Sequence, residues 1–128
     1  MNNPFKYQLP SMKDGVVAFY SNASYEQVVT VNGLNRGPLV FSGSGEDNHP
    51  MKSPSGSSMI KLSASDSNKE LSIHFQYKAP DGTIHDANEI QNNPTSAGAF
   101  RGEIVTSEDS TDDDINDSVV IINCRVGS

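Results

Sequence analysis

The stretch ELSIHFQYK, residues 70–78, sets Leu71, Ile73, Phe75 and Tyr77 on one side of an extended chain and Ser72, His74, Gln76 and Lys78 on the other. A repeat of two residues is the mark of a half-buried antiparallel strand, because successive side chains leave opposite faces of the pleat. Outward from it, residues 15–21 (GVVAFYS) and 26–32 (EQVVTVN) are short and rich in β-branched and aromatic residues, with residues 22–25 between them as a turn-like insert. Residues 99–106 (AFRGEIVT) and 118–124 (SVVIINC) are two further strands, and the second is apolar on both faces, as a central strand is. Residues 38–41 and 58–64 are weaker candidates. Residues 42–58 consist almost entirely of turn formers, and residues 79–98 open on Pro80-Asp81-Gly82, where Pro fixes φ and Gly admits a positive one. Helical periodicity is scarce, and there is no repeat and no domain boundary. The prediction is one domain over residues 1–128, an all-β, antiparallel, Greek-key-type β-sandwich of about nine short strands.

Charge narrows the function. The chain of 128 residues has a formal net charge of −7, and six of its sixteen acids fall within residues 108–117. Outside that segment ten acids face nine bases, so the scaffold is close to neutral. Without a basic cluster, nucleic acid is a poor partner. A hydrophobic fraction of 34% implies a thin core. Cys124 is the single cysteine, so an intrachain disulfide is excluded, and its place at the end of an apolar run predicts a buried thiol. The first residues, MNNPFKYQLPSM, hold no apolar core of signal-peptide length, and the longest aliphatic run, residues 119–122, is far short of the ~20 residues that span a bilayer. The expectation is a soluble protein made without a Sec-type leader and without membrane insertion: cytoplasmic, with release or cell-surface association by another route left open.

Residues 107–123 read SEDSTDDDINDSVVIIN. The acids stand directly before an apolar strand, so they are anchored to it. Asp112, Asp114 and Asn116 are two apart, with Asp117 adjacent, and Asn116 adds a neutral oxygen. Ca²⁺ takes about 6–8 hard oxygen ligands and accepts such a mixture, whereas zinc would call for His or Cys. The segment is not an EF-hand: Asp117 stands where the loop needs glycine, Asn123 where it needs its closing glutamate, and a strand follows. A glycosidase would use two carboxylates with separated pKa values, and these acids are too many and too close. His74 falls on the polar face of its strand, and His49 and His85 fall in loops with no motif around them. An enzyme is not expected.

The same segment resembles the signature of the bacterial calcium-dependent lectins of the fucose-binding lectin II (PA-IIL-like) family. That pattern is Ser-Glu-Asp-Gly-x-Asp-x-Asp-x-Asn-Asp, then a hydrophobic strand, with a glycine at the C-terminus. Ser107, Glu108, Asp109, Asp112, Asp114, Asn116 and Asp117 match it, Ser110 replaces the glycine, and Gly127 is penultimate. Near the start, Ala18, Phe19 and Asn22 resemble the family's Ala-Phe…Asn motif, with Ala23, Ser24 and Tyr25 as its specificity loop.

The resemblance implies two Ca²⁺ per chain, coordinated directly by hydroxyls of mannose- or fucose-type sugars. Glu108, Asp112, Asp114 and Asp117 would hold one ion. Asn22, Asp114, Asn116 and Asp117 would hold the other, with Asp114 and Asp117 bridging. Asp109 would accept a hydrogen bond from the sugar, the loop Ala23, Ser24 and Tyr25 would contact it, and Asp112, Asp114 and Asn116 would stand at the sugar as well as the metal. In the family a neighbouring subunit's C-terminal glycine carboxylate completes one site. Here Ser128 follows, so Ser128 supplies that carboxylate, the tail reaches differently, or the ligand is missing. Cys124 and Arg125 replace the family's usual Trp-Pro. Ala23 lacks the hydroxyl associated with fucose preference, which leans towards mannose. The implied partners are mannose- or fucose-containing glycans and further copies of the chain, as a homodimer or homotetramer. The alternative is a calcium-stabilised structural or adhesion β-domain with no sugar site.

Overall fold

The computed structural model describes residues 3–35, 37–109 and 116–127. Their regular structure is nine strands: β1 Phe5–Leu9, β2 Asp14–Asn32, β3 Leu39–Pro50, β4 Met59–Leu62, β5 Lys69–Lys78, β6 Ile84–Asp86, β7 Glu89–Ala97, β8 Phe100–Glu108 and β9 Ser118–Arg125. All pair antiparallel in one continuous sheet with the main order β1-β5-β2-β9-β8-β7, while β3 and β4 join β2, and β6 joins β5. The sheet folds back on itself, so the all-β expectation stands, in a sandwich that is nearly a closed barrel.

The element that organises this is β2. The turn expected at residues 22–25 is absent, and one strand of 19 residues runs through it. On one edge of β2, β9 pairs with residues 14–21 and β5 with residues 26–32. On the other edge lie β4 and then β3. A strand shared this way carries the chain from one layer to the other, which is how sandwiches turn a corner. The corner is made by paired irregularities. Four residues of β3 (45 to 49) span two of β2 (21 to 23), and then four of β2 (23 to 27) span two of β3 (43 to 45). Because each irregularity adds two residues, the inward parity of β2 is preserved: Val17, Phe19, Ser21, Ala23, Gln27, Val29 and Val31 are all buried. The extra β3 residues include Asp47 and Asn48 at φ of 63° and 55°, the left-handed region that Asp and Asn enter most readily after glycine.

The core lies between the layers. Phe19 and Phe41 stack at 3.9 Å with Val17, Met51, Leu71, Ile73, Phe75, Val105, Val120 and Ile122 around them, all buried. The alternation of residues 70–78 is realised in β5, and β9 lies between β2 and β8 as its double apolar face requires. Cys124 is buried. The regions expected to be loose are mostly strand. Residues 39–50 form β3, and residues 84–86 and 89–97 form β6 and β7, because edge pairing to an already formed neighbour overrides weak strand propensity. His49 and His85 therefore sit in strands. His74 is half-buried, with its Nε2 2.9 Å from Asp86 Oδ1.

Candidate metal centre at the fork of the sheet

Where β9 and β5 part from β2, residues 22–25 face a gap, and the end of β8 and the start of β9 close it. The N–H of Asn22 donates to the carbonyl of Asp117 at 2.9 Å, and the N–H of Asp117 donates to that of Ser107 at 2.8 Å. This ties three acids to the frame. Glu108, Asp109 and Asp117 are 3%, 6% and 3% exposed, and one oxygen from each carboxylate lies within 4.8 Å of the others. The N–H of Asp109 also donates to Asp117 Oδ2 at 2.8 Å, which fixes the orientation of the Asp117 carboxylate.

Burying carboxylates together is costly, because each loses hydration and repels the next. Asp117 records that cost. Its pKa is pushed up to about 8, first by burial, then by the Glu108 side chain hydrogen-bonded to it and by the charge of Asp109, against the opposing pull of the Asp109 N–H. A cation in the cluster reverses this balance. The donor set is all oxygen, which suits a hard cation such as Ca²⁺ better than zinc. Asn116 Oδ1 is buried with no hydrogen-bond partner among the described residues, a condition that costs roughly 1–3 kcal/mol when nothing is bound to the oxygen. The residues present therefore fit a calcium-type ion.

Around the acids the expected site residues divide. Asn22 is committed: its Nδ2 donates to Asn48 Oδ1 at 2.8 Å and to the Asn116 carbonyl at 3.2 Å, and its Oδ1 accepts from the Asn48 N–H at 2.7 Å. It works as a latch joining β2, β3 and the start of β9. Ala23 is buried, Ser24 is exposed, and Tyr25 is half-buried. Asp109, assigned to the sugar by resemblance, stands inside the carboxylate cluster. Asp112, Asp114 and Ser128 lie outside the described residues.

Two participants went unrecognised in the sequence. Gln27, fully buried, donates from Nε2 to Asp109 Oδ2 at 3.2 Å and to the Tyr25 carbonyl at 3.1 Å, and its Oε1 accepts from Ser118 Oγ at 2.9 Å. It binds the loop, the acids and β9 into one unit. The signal was present, since Gln27 shares the inward parity of Val29 and Val31, where an amide needs a polar reason to be. Asn48 offered no such signal, because its role follows from a backbone irregularity in β3.

Comparison with known proteins agrees with this architecture. A Ralstonia solanacearum high-affinity mannose-binding lectin matches at 24% identity over 95% of this chain and 96% of that one, with a TM-score of 0.66. A Chromobacterium violaceum lectin in complex with alpha-methyl-fucoside matches at 22% identity over 99% and 100%, with a TM-score of 0.67. The C-terminal domain of a Burkholderia cenocepacia lectin matches at 18% identity over 99% and 100%, with a TM-score of 0.64. At these identities the likeness shows the fold. No curated protein matches by sequence. Among the described residues no helix is long and apolar enough to cross a membrane. Residues 7–126 match the family described as fucose-binding lectin II (PA-IIL), and the chain belongs to that family, whose members are lectins and not enzymes.

Proposed function

We propose that this chain binds mannose- or fucose-type sugars through two Ca²⁺ ions held at the fork of the sheet. The observation that carries this is the cluster of Glu108, Asp109 and Asp117, three buried carboxylates within 4.8 Å beside the residue 22–25 irregularity of β2. Calcium bound there would offer open coordination positions to neighbouring sugar hydroxyls. A neutral sugar gains little from ordinary hydrogen bonds, each of which replaces one to water. The chain's own task is to hold oxygens at fixed positions. Glu108 and Asp117 serve from the two strand ends, Asp112 and Asp114 from the segment between them, and Asn116 through its buried carboxamide oxygen. Since the Asn22 carboxamide is engaged by Asn48, its main-chain carbonyl is the oxygen we assign to the metal. Ser24 is the exposed loop residue available to the sugar. Ala23, without a hydroxyl, favours mannose. A C-terminal carboxylate, from Ser128 of a neighbouring copy, would complete the set in a homodimer or homotetramer.

The test is calorimetric titration with methyl α-mannoside and methyl α-fucoside, in Ca²⁺ and again in excess EDTA, alongside thermal melting in both buffers. Binding in Ca²⁺ and none in EDTA is expected, with mass action alone adding about 2.7 kcal/mol of stability at a hundredfold excess of Ca²⁺ over Kd. Sugar binding that persists in EDTA would overturn the calcium mechanism. A melting shift with Ca²⁺ but no binding on a broad glycan array would favour the structural, sugar-free alternative.

A further inference from the structure

Tyr25 ends the short irregular stretch beside the carboxylates and has the inward parity of β2, yet it stands outside the core cluster. Its ring lies against Tyr77 of β5, with centroids 5.9 Å apart and planes 16° from parallel. Tyr77 lies in turn against His85 of β6, at 5.3 Å and 27°. Tyr25 and Tyr77 are half-buried and His85 is exposed, so a row of three rings leads from the fork across β5 to β6 at the protein surface. Its far end is polar and ordered: Thr83 Oγ1 lies 2.7 Å from His85 Nε2 and donates to Asp81 Oδ1 at 2.6 Å.

From this arrangement we infer a second carbohydrate subsite, in which the Tyr25–Tyr77–His85 row receives the next pyranose of a glycan whose first residue occupies the fork. The inference deepens the proposed function and rests on it. Rings that served only the fold would gain most by entering the core, and these do not. Their position is tied to the first site, because Gln27 donates to both the Tyr25 carbonyl and Asp109 Oδ2 and so holds the loop in register with the acids. The chemistry suits a sugar. A pyranose has a face of C–H bonds carrying slight positive charge and a rim of hydroxyls. The C–H face packs on the electron-rich face of an aromatic ring, as the positive edge of another ring does. The hydroxyl rim meets Asp81, Thr83 and His85 at the end of the row. A free monosaccharide at the fork would leave the row unused.

The experiment compares methyl α-mannoside with a panel of α-linked dimannosides by calorimetry in Ca²⁺, using the native chain and the Tyr25→Ala, Tyr25→Phe and Tyr77→Ala variants, each checked by melting. If stacking on the row is worth what an aromatic pair is, the native chain binds at least one dimannoside about three- to tenfold more tightly than the monosaccharide. Tyr77→Ala then reduces that ratio towards one and leaves monosaccharide affinity within about twofold, Tyr25→Ala weakens the dimannoside by more than the monosaccharide, and Tyr25→Phe preserves the ratio. Equal native affinity for every dimannoside and the monosaccharide would overturn the subsite. So would a parallel loss of both affinities in Tyr25→Ala, which would make Tyr25 a support for the loop. Failure of the monosaccharide itself to bind the native chain in Ca²⁺ is a different result: it would remove the proposed function and the subsite with it.

Discussion

The two ends of the β2–β9 ladder each carry an aspartate, and the two behave in opposite ways. At the open end Asp14 lies opposite Arg125, which donates from Nε at 3.2 Å and from a terminal nitrogen at 2.9 Å. Those hydrogen bonds hold the Asp14 carboxyl below its ordinary range. At the fork end Asp117 precedes β9 and meets Glu108 and Asp109, and its carboxyl is pushed up to about 8. The same residue type on the same ladder is satisfied in one place and strained in the other. The difference shows where a cation from outside could be held: Asp14 has its cation built in, whereas Asp117 and its neighbours form a buried carboxylate cluster that could hold one.

The largest expected effect is at the strained end. Asp117→Asn keeps an oxygen for the Asp109 N–H but removes an acid that the metal-free fold must hold protonated and that a cation would need ionised. The calcium-dependent rise in Tm and sugar binding should both disappear, while the calcium-free Tm at neutral pH should hold or rise. That pair of opposite signs marks a ligand and not a structural acid. A calcium-free Tm that falls while calcium still stabilises the variant would break the contrast, because Asp117 would then be serving the fold.

The strained end was also the more legible in sequence. The acidic run ahead of an apolar strand stands out in sequence, and of its acids Glu108, Asp109 and Asp117 converge, whereas Asp112 and Asp114, the pair spaced two apart, lie outside the described residues. The β5 and β9 strands were readable for a similar reason, since burial on one or both faces leaves a periodic mark. What failed was local. Residues 22–25 carry turn-like chemistry, yet pairing with β3 on one edge keeps β2 continuous, and no short window of sequence contains that neighbour. The same limit hid β7 and residues 42–50 of β3, beyond the weak strand candidate at residues 38–41; their polar residues are strand because another strand lies alongside. Gln27 falls between these cases: its inward parity was visible, but its partners Asp109 and Ser118 are 82 and 91 residues away.

A second, smaller effect separates the two ends by pH. Metal-free folded protein keeps a proton on Asp117 up to about pH 8, whereas the unfolded chain releases it near the ordinary value of 3.8. The folded state binds more protons through that window, so metal-free stability should decline as pH rises from about 4 to about 8 and then level off. Asp14 contributes with the opposite sign, since its depressed pKa adds stability above the ordinary carboxylate value and loses it as pH falls through the folded one. Calcium must displace the Asp117 proton, so its affinity should weaken by about tenfold per pH unit below 8 for a single displaced proton. Melting curves with and without Ca²⁺ at pH 5, 6, 7 and 8 check both signs. A calcium-induced shift that does not grow with pH would mean that Asp117 is already ionised without the metal.

The smallest effect belongs to the satisfied end. Asp14 and Arg125 are exposed, and an exposed ion pair loses most of its attraction to solvent and salt. Arg125→Ala should leave Tm without a measurable change. Seven residues of strand separate Asp14 from Ser21, roughly 23 Å at the usual rise, so within one chain Arg125 is too far from the fork to alter calcium affinity. That distance makes the variant informative. Arg125 lies three residues before Ser128, whose carboxylate is the ligand we propose one copy to lend another. If Arg125→Ala leaves Tm alone yet weakens calcium binding in a way that depends on protein concentration, the route runs through a second chain, and the satisfied end of one copy helps to complete the strained end of its neighbour. If calcium affinity does not change, each fork is served by its own chain as far as Arg125 is concerned, and the contrast between the two ends is a property of the single ladder.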